Sequence, residues 1–217
     1  MPGEKDFYFS VLNPKQLRLL KKLEFLKKYE FYLAGGTGLA LQIAHRTSLD
    51  FDFYTEKKFN NRELLRNLEN LFKDIKLIQI PEQTLIVKIE GREVSFFHYP
   101  YPLIYPPIKE KEFPLIASKE DIAAMKIMAI IQRGTKRDFI DIYFLIKEFG
   151  FKKIFETTEK KYPSSNPYLA IQALTYFADA EKEKVKRKIT YLQPINWFKI
   201  KKFLVKTVNE FKSFYLK

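Results

Sequence analysis

Three of the seven glycines stand within four positions, in Gly35-Gly36-Thr37-Gly38, and they separate two different hydrophobic patterns. Before them lies the short apolar run FYLA. After them GLALQIAHR has helical spacing through Arg46. SLDFDFYT then alternates, with Leu49, Phe51 and Phe53 against Asp50, Asp52 and Tyr54, which is the period of a strand. A strand, a glycine turn, a helix and a strand in that order form a narrow specification. One helix runs out, the chain returns, and the turn and the second strand meet at one edge of a sheet. Glycines there let backbone N–H groups approach a ligand, and a helix start favours an anion such as a phosphate. Thr37 adds a hydroxyl. The same residues also suit a plain tight turn capped by Thr37. Two apart on a strand, Asp50 and Asp52 point to one face. Paired carboxylates repel unless a cation joins them, and Mg²⁺ takes one or two carboxylates and fills its shell with waters and phosphates. The other reading is a solvated strand face.

Composition narrows the chemistry. The absence of cysteine removes disulfides, thiolate metal sites and cysteine nucleophiles. His45 and His98 are the only histidines, too few for a histidine-rich metal centre. No stretch of about 18 uncharged apolar residues is present, and the N-terminus lacks a secretory pattern, so a cytoplasmic protein without membrane association is expected. The net charge of +13 is uneven: residues 1–115 carry 18 Lys/Arg and 15 Asp/Glu, residues 116–217 carry 21 and 11. A basic half of this kind attracts polyanions, or it is a lysine-rich surface of the thermophile type.

The rest of the chain divides at its prolines. Residues 14–30 place apolar side chains at 17, 20, 23 and 26, read here as one helix. Residues 60–74 give another helix, and 84–90 with 92–99 a hairpin about Gly91. Five of the eleven prolines fall between 100 and 114, which places a boundary there: a core over 1–115 and a helical module over 116–217. In the module, Ser118 with Asp121 opens a helix that stops at Gly134, and Thr135 with Asp138 opens the next, closed by Gly150.

Within these helices Lys126 lies among Ala, Met and Ile, an odd place for an ammonium unless it reaches a cavity or the surface. Asp138 reads as a cap partner of Thr135, whereas Asp141 has no local role. Arg133, Lys136 and Arg137 surround these acids with positive charge. His45-Arg46 either reach a phosphate or RNA, or complement the C-terminal dipole of the preceding helix. His98 and the run YPYPLIYPP either stack bases or pack a connector. The run EKEKVKRK, with Lys182, Lys184, Lys186, Arg187 and Lys188, either holds a phosphate backbone or forms a solvated face.

The string YLAGGTGLALQIAHRTSLDFDFYT resembles the opening motif of the AbiEii/AbiGii toxin family, within the polymerase β-like nucleotidyltransferase superfamily. DIAAMKIMAIIQRGTKRDFIDIYFLI is similar to later motifs of the same family, and together they span roughly residues 30–150. The resemblance implies an α+β fold: a small mixed-sheet nucleotidyltransferase-like core, followed by a helical C-terminal module that completes the cleft. It implies Mg²⁺-dependent transfer of a nucleoside monophosphate from an NTP to an acceptor hydroxyl, with RNA such as tRNA as acceptor. The setting it implies is a toxin–antitoxin or phage-defence pair, with a cognate antitoxin as partner. Gly35, Gly36 and Thr37 match the turn that holds the nucleotide phosphates. Asp50 and Asp52 match the metal-binding aspartates, Lys126 a lysine touching the triphosphate, and Asp138 and Asp141 a later acidic pair, with Asp141 as base or third ligand. Arg133, Lys136, Arg137 and Asp138 border the acceptor. Many superfamily members carry a third carboxylate on a later strand; here EVSFFHY puts Phe96 or Phe97 about there, with Glu93 as a substitute. That departure motivates an alternative, a catalytically weak or inactive nucleotide- or RNA-binding module on the same fold.

Overall fold

The computed structural model describes residues 7–183 and 189–215. They form two compact units, Met1–Ser118 and Lys119–Lys217. Among the described residues, no helix is long and apolar enough to cross a membrane.

The first unit is built on a mixed six-stranded sheet in the order β3-β4-β5-β2-β1-β6. Its strands are β1 (Tyr32–Leu33), β2 (Phe51–Thr55), β3 (Ile75–Gln79), β4 (Thr84–Ile89), β5 (Arg92–His98) and β6 (Leu115–Ile116). β2 lies inside the sheet, antiparallel to β1 and parallel to β5. Its alternation is the expected one: Phe51, Phe53 and Thr55 are buried, while Asp52 and Tyr54 are half-buried on the opposite face. Phe53 stacks on Phe96 at 5.6 Å and Phe31 meets Phe96 edge-on at 5.5 Å. Such pairs add about 0.5–1.5 kcal/mol each beyond their buried area. The hairpin forms as expected, with Glu90 (φ 48) and Gly91 (φ 79) making its tight turn. β3 and β6 were not expected. β3 is an exposed edge strand, and β6 follows the prolines and returns to pair with β1. The proline-rich stretch therefore lies within the first unit, and the division falls after Ser118.

Helices α1 (Pro14–Lys22), α2 (Gly35–Ile43) and α3 (Asn61–Leu71) complete this unit. The single helix expected over residues 14–30 is two pieces, α1 and a 3₁₀ segment over Leu23–Tyr29. Asn13 and Gln16 form a capping box at the start of α1.

The second unit is helical: α4 (Lys119–Gln132), α5 (Lys136–Phe149), α6 (Phe151–Lys161), α7 (Pro167–Ala173), α8 (Ala178–Lys182) and α9 (Trp197–Tyr215). Gly134 (φ 48) and Gly150 (φ 76) separate α4 from α5 and α5 from α6. Lys184, Lys186, Arg187 and Lys188 of the basic run lie outside the described residues.

Candidate active site

In the first unit, three clamps bring the glycine turn and the acidic pair together. The buried Gln16 donates to Ser48 O at 2.8 Å, fixing the chain that leads into β2. The Thr37 hydroxyl donates to the backbone carbonyl of Asp50. Ala34 N donates to Asp52 O at 3.0 Å. The turn between β1 and α2 is thereby tied to the segment that carries both aspartates. Thr37 is itself buried, and its hydroxyl positions the Asp50 backbone.

The glycines are required for a reason the sequence did not show. Gly35 has φ 59, a left-handed backbone that costs an L-residue. A Cβ there would stand 2.8 Å from Asp52 Oδ2. A Cβ on Gly36 would collide with Arg46 Nη2 and stand 3.2 Å from Arg46 Cζ and Nη1. Thus a carboxylate is seated on one glycine and a guanidinium on the next. His45 and Arg46 are both buried just beyond α2, whose last turn ends at Ala44 in the left-handed region (φ 48).

Asp50 and Asp52 are both half-buried, and an oxygen-only pair of this kind fits Mg²⁺. On β5 the residue in register with Asp52 is Ser95. Phe96 is turned into the core, and Phe97 is in register with Tyr54. Among the described residues, no three His, Asp or Glu side chains gather into a metal-holding group, so Glu93 does not complete a three-carboxylate set here. His98 ends β5 half-buried. Beside it Tyr54, Tyr99 and Tyr101 contact one another in sequence at 5.3 and 5.0 Å between ring centroids.

In the second unit, Lys126, Arg133, Asp138 and Asp141 form one cluster. Lys126 is buried, with Nζ 2.9 Å from Asp138 Oδ1 and 2.6 Å from Asp141 Oδ2. Arg133 forks onto Asp138 through Nε at 2.9 Å and Nη2 at 3.2 Å. The Thr135 hydroxyl donates to Asp138 Oδ2 at 2.7 Å. Asp138 is therefore more than a cap partner: it is enclosed by three donors. Lys136 sits over the Trp197 ring at 5.1 Å, and its backbone N–H donates to Glu183. Arg137 is half-buried in the first turn of α5.

Burial would raise the Asp138 carboxyl, but the Lys126 ammonium and the Arg133 guanidinium outweigh it and hold the group well below the usual carboxylate range. A carboxylate depressed in the folded state stabilises the fold above its unfolded pKa, and that contribution is lost on acidification. Melting temperature should therefore fall as pH drops below about 4. Asp138→Asn should flatten that dependence in a series of thermal melts from neutral to acid pH. An equally steep fall in the variant would contradict the assignment.

Comparison with known proteins identifies the family and the fold. Residues 18–210 match the family described as Nucleotidyl transferase AbiEii toxin, Type IV TA system. An uncharacterized protein of Aquifex aeolicus (strain VF5) is 36% identical over 187 residues, covering 84% of this chain and 88% of that relative. A putative nucleotidyltransferase from H. pylori superposes with a TM-score of 0.59 at 17% identity, over 93% of this chain and 96% of its own. The nucleotidyltransferase toxin MenT4 from Mycobacterium tuberculosis H37Rv gives 0.52 at 13% identity, over 89% and 82%. At these identities the two structures establish a shared fold, and the family match covers most of the sequence. The chain belongs to the AbiEii nucleotidyltransferase toxin family of type IV toxin–antitoxin systems.

Proposed function

We propose that the protein transfers a nucleoside monophosphate from an NTP to an acceptor hydroxyl, with Mg²⁺ as cofactor and RNA, such as tRNA, as acceptor. The acceptor oxygen attacks the α-phosphorus, the bond from that phosphorus to the bridging oxygen breaks, and pyrophosphate leaves with the electron pair. The acceptor proton passes to a base or to water. The observation that carries this reading is Asp52 seated directly on Gly35, with Asp50 tied to Thr37 beside it. The Asp52 carboxylate is thus held beside a glycine turn, with the Asp50 backbone fixed next to it, and a cation and a phosphate need to be neighbours in such a place.

Asp50 and Asp52 would hold the Mg²⁺, which when bound supplies charge neutralisation for the triphosphate and the leaving pyrophosphate. Gly35 and Gly36 give the phosphates close access to backbone. Lys126 is the candidate triphosphate lysine, and Asp138 and Asp141 orient it. Asp141 is fully buried against that ammonium, so holding Lys126 suits it better than taking the acceptor proton. Arg133, Lys136 and Arg137 are the candidate contacts to an anionic acceptor, and a cognate antitoxin is the expected partner in the cell. Most of the rate enhancement would come from positioning and charge stabilisation.

One observation favours a second reading, a nucleotide- or RNA-binding module without efficient transfer: Ser95 stands in register with Asp52 on the neighbouring strand, where a third carboxylate would strengthen a metal site. Incubation with Mg²⁺, each labelled NTP and total RNA separates the two. Label moving to RNA supports the transferase. Bound nucleotide with no label on RNA, protein or small acceptors supports the module.

A further inference from the structure

We propose, on the strength of the nucleotidyltransferase reading above, that a groove on the second unit takes a single-stranded segment of the acceptor RNA. It lies between Phe177 and the outer side of α9. A base stacks on Phe198 there, and the phosphates of the strand meet Lys202 and Lys206.

α9 buries one stripe, Ile200, Leu204, Val208 and Phe211, spaced as a helix with a single inner face requires. Phe198 and Val205 lie off that stripe, and Phe198 is 71% exposed. A single exposed phenylalanine means little by itself. This one lines a groove of about 590 Å³, with Phe177 and Val205 as its other apolar walls and Lys201, Lys202 and Lys206 among its polar ones. Phe198, Lys202 and Lys206 follow at intervals of four, in one line along the helix. A ring beside a row of ammonium groups is what holds single strands: the ring takes the face of any base, and the cations track the phosphates.

Charge favours a polyanion. Across Trp197–Tyr215 five lysines stand against one glutamate, Glu210. Lys206 meets that glutamate at 3.6 Å, and Lys201 pairs with Glu181 of α8. The Lys206 pair is exposed and worth little, so a phosphate can take the place of the glutamate. The position of the groove favours RNA over an acidic protein segment, which would also suit apolar walls and lysines. Trp197 opens α9, and its ring has Lys136 Nζ at 5.1 Å, Lys201 Nζ at 5.8 Å and the Phe177 ring at 5.8 Å. Lys136 and Arg137 are the candidate acceptor contacts at the start of α5. A strand held by them meets Trp197 next and then the groove.

Binding of the full chain to labelled oligoadenylate RNA and to inorganic polyphosphate, without NTP and over a series of salt concentrations, tests this. The variants are Phe198→Ala, Phe198→Trp, Lys202→Gln and Lys73→Gln, the last an exposed lysine of the first unit. Phe198→Ala should weaken the RNA about tenfold or more and leave polyphosphate unchanged, because only the RNA has bases to stack. Phe198→Trp should restore RNA binding. Lys202→Gln should weaken both polyanions and lower the salt slope by about 1, whereas Lys73→Gln should not. All four side chains replaced are exposed, so melting temperatures should stay near that of the wild type. RNA affinity unchanged in Phe198→Ala, or Lys202→Gln no different from Lys73→Gln, would overturn the inference. So would an acidic amphipathic peptide that binds through Phe198 while RNA ignores that residue. Label transfer to RNA that persists undiminished in Phe198→Ala overturns the inference and leaves the transferase reading standing. Binding through Phe198 in a wild type that transfers no label overturns the transferase reading and leaves the groove as an RNA site.

Discussion

Asp50→Asn and Asp52→Asn should each lower nucleotide transfer about 1,000-fold while leaving the melting temperature near that of the wild type. Asparagine keeps the shape of the side chain and removes its charge. Both residues are half-buried: Asp52 lies on the face of β2 opposite Phe51 and Phe53, which make that strand's core contacts, and Asp50 immediately precedes the strand. The apolar packing of the strand depends on neither carboxylate, whereas in the proposed reaction charge neutralisation at the triphosphate depends on both. The backbone clamps from Thr37 to Asp50 and from Ala34 to Asp52 involve carbonyl oxygens and survive both substitutions. Rate assays with labelled NTP, alongside thermal melts, measure the two effects separately. Transfer within tenfold of wild type in both variants would remove these residues from the chemistry. The double variant should be no worse than the more impaired single one, because the two act as one unit.

Lys161→Met should destabilise the protein by about 3–5 kcal/mol. Lys161 Nζ on α6 lies 2.9 Å from Asp121 Oδ1 on α4, and both side chains are fully buried. Their mutual attraction offsets the loss of hydration only while both are present. Removing the ammonium leaves a carboxylate in the interior, which must either stay charged without its counter-ion or take up a proton. Restoring an apolar interior with Lys161→Met combined with Asp121→Leu should recover most of the loss, since a buried pair contributes little over well-packed apolar residues. Denaturant unfolding of the single and double variants measures this. A single variant within about 1 kcal/mol of wild type, or a double variant no better than the single, would show that the pair is not what holds α4 against α6.

The elements that carry the candidate site were legible because each has a local cause. Alternation over residues 49–54 marked a strand, and β2 sets Asp52 opposite Phe51 and Phe53; a glycine pair between apolar segments marked the turn. The buried pair was harder to see, yet its signal is present. Lys161 continues the buried stripe Phe151, Ile154, Thr158 at helical spacing, so a lysine on an apolar face announced an acidic partner. Nothing local indicated which acid, because Asp121 is forty residues away in sequence. For Arg46 the sequence offers two readings, a contact to phosphate or RNA and a cation complementing the end of a helix, and neither places it against Gly36. Its seat on Gly36 depends on the chain folding back along α2, a long-range event that no period encodes. The 3₁₀ segment over Leu23–Tyr29 reads in the sequence as a continuation of α1, because its apolar stripe runs on from that helix. β6 was hidden by its two-residue length and by the prolines before it.

The sharpest measurement is a crystal structure of the wild type with Mn²⁺ and an NTP analogue that resists cleavage between the α and β phosphates. Anomalous density between the carboxylates of Asp50 and Asp52, with triphosphate oxygens lying along Gly35 and Gly36, is the expected result. A nucleotide bound away from that turn, with no metal at either aspartate, would contradict the assignment of this turn and acidic pair as the centre of nucleotide transfer.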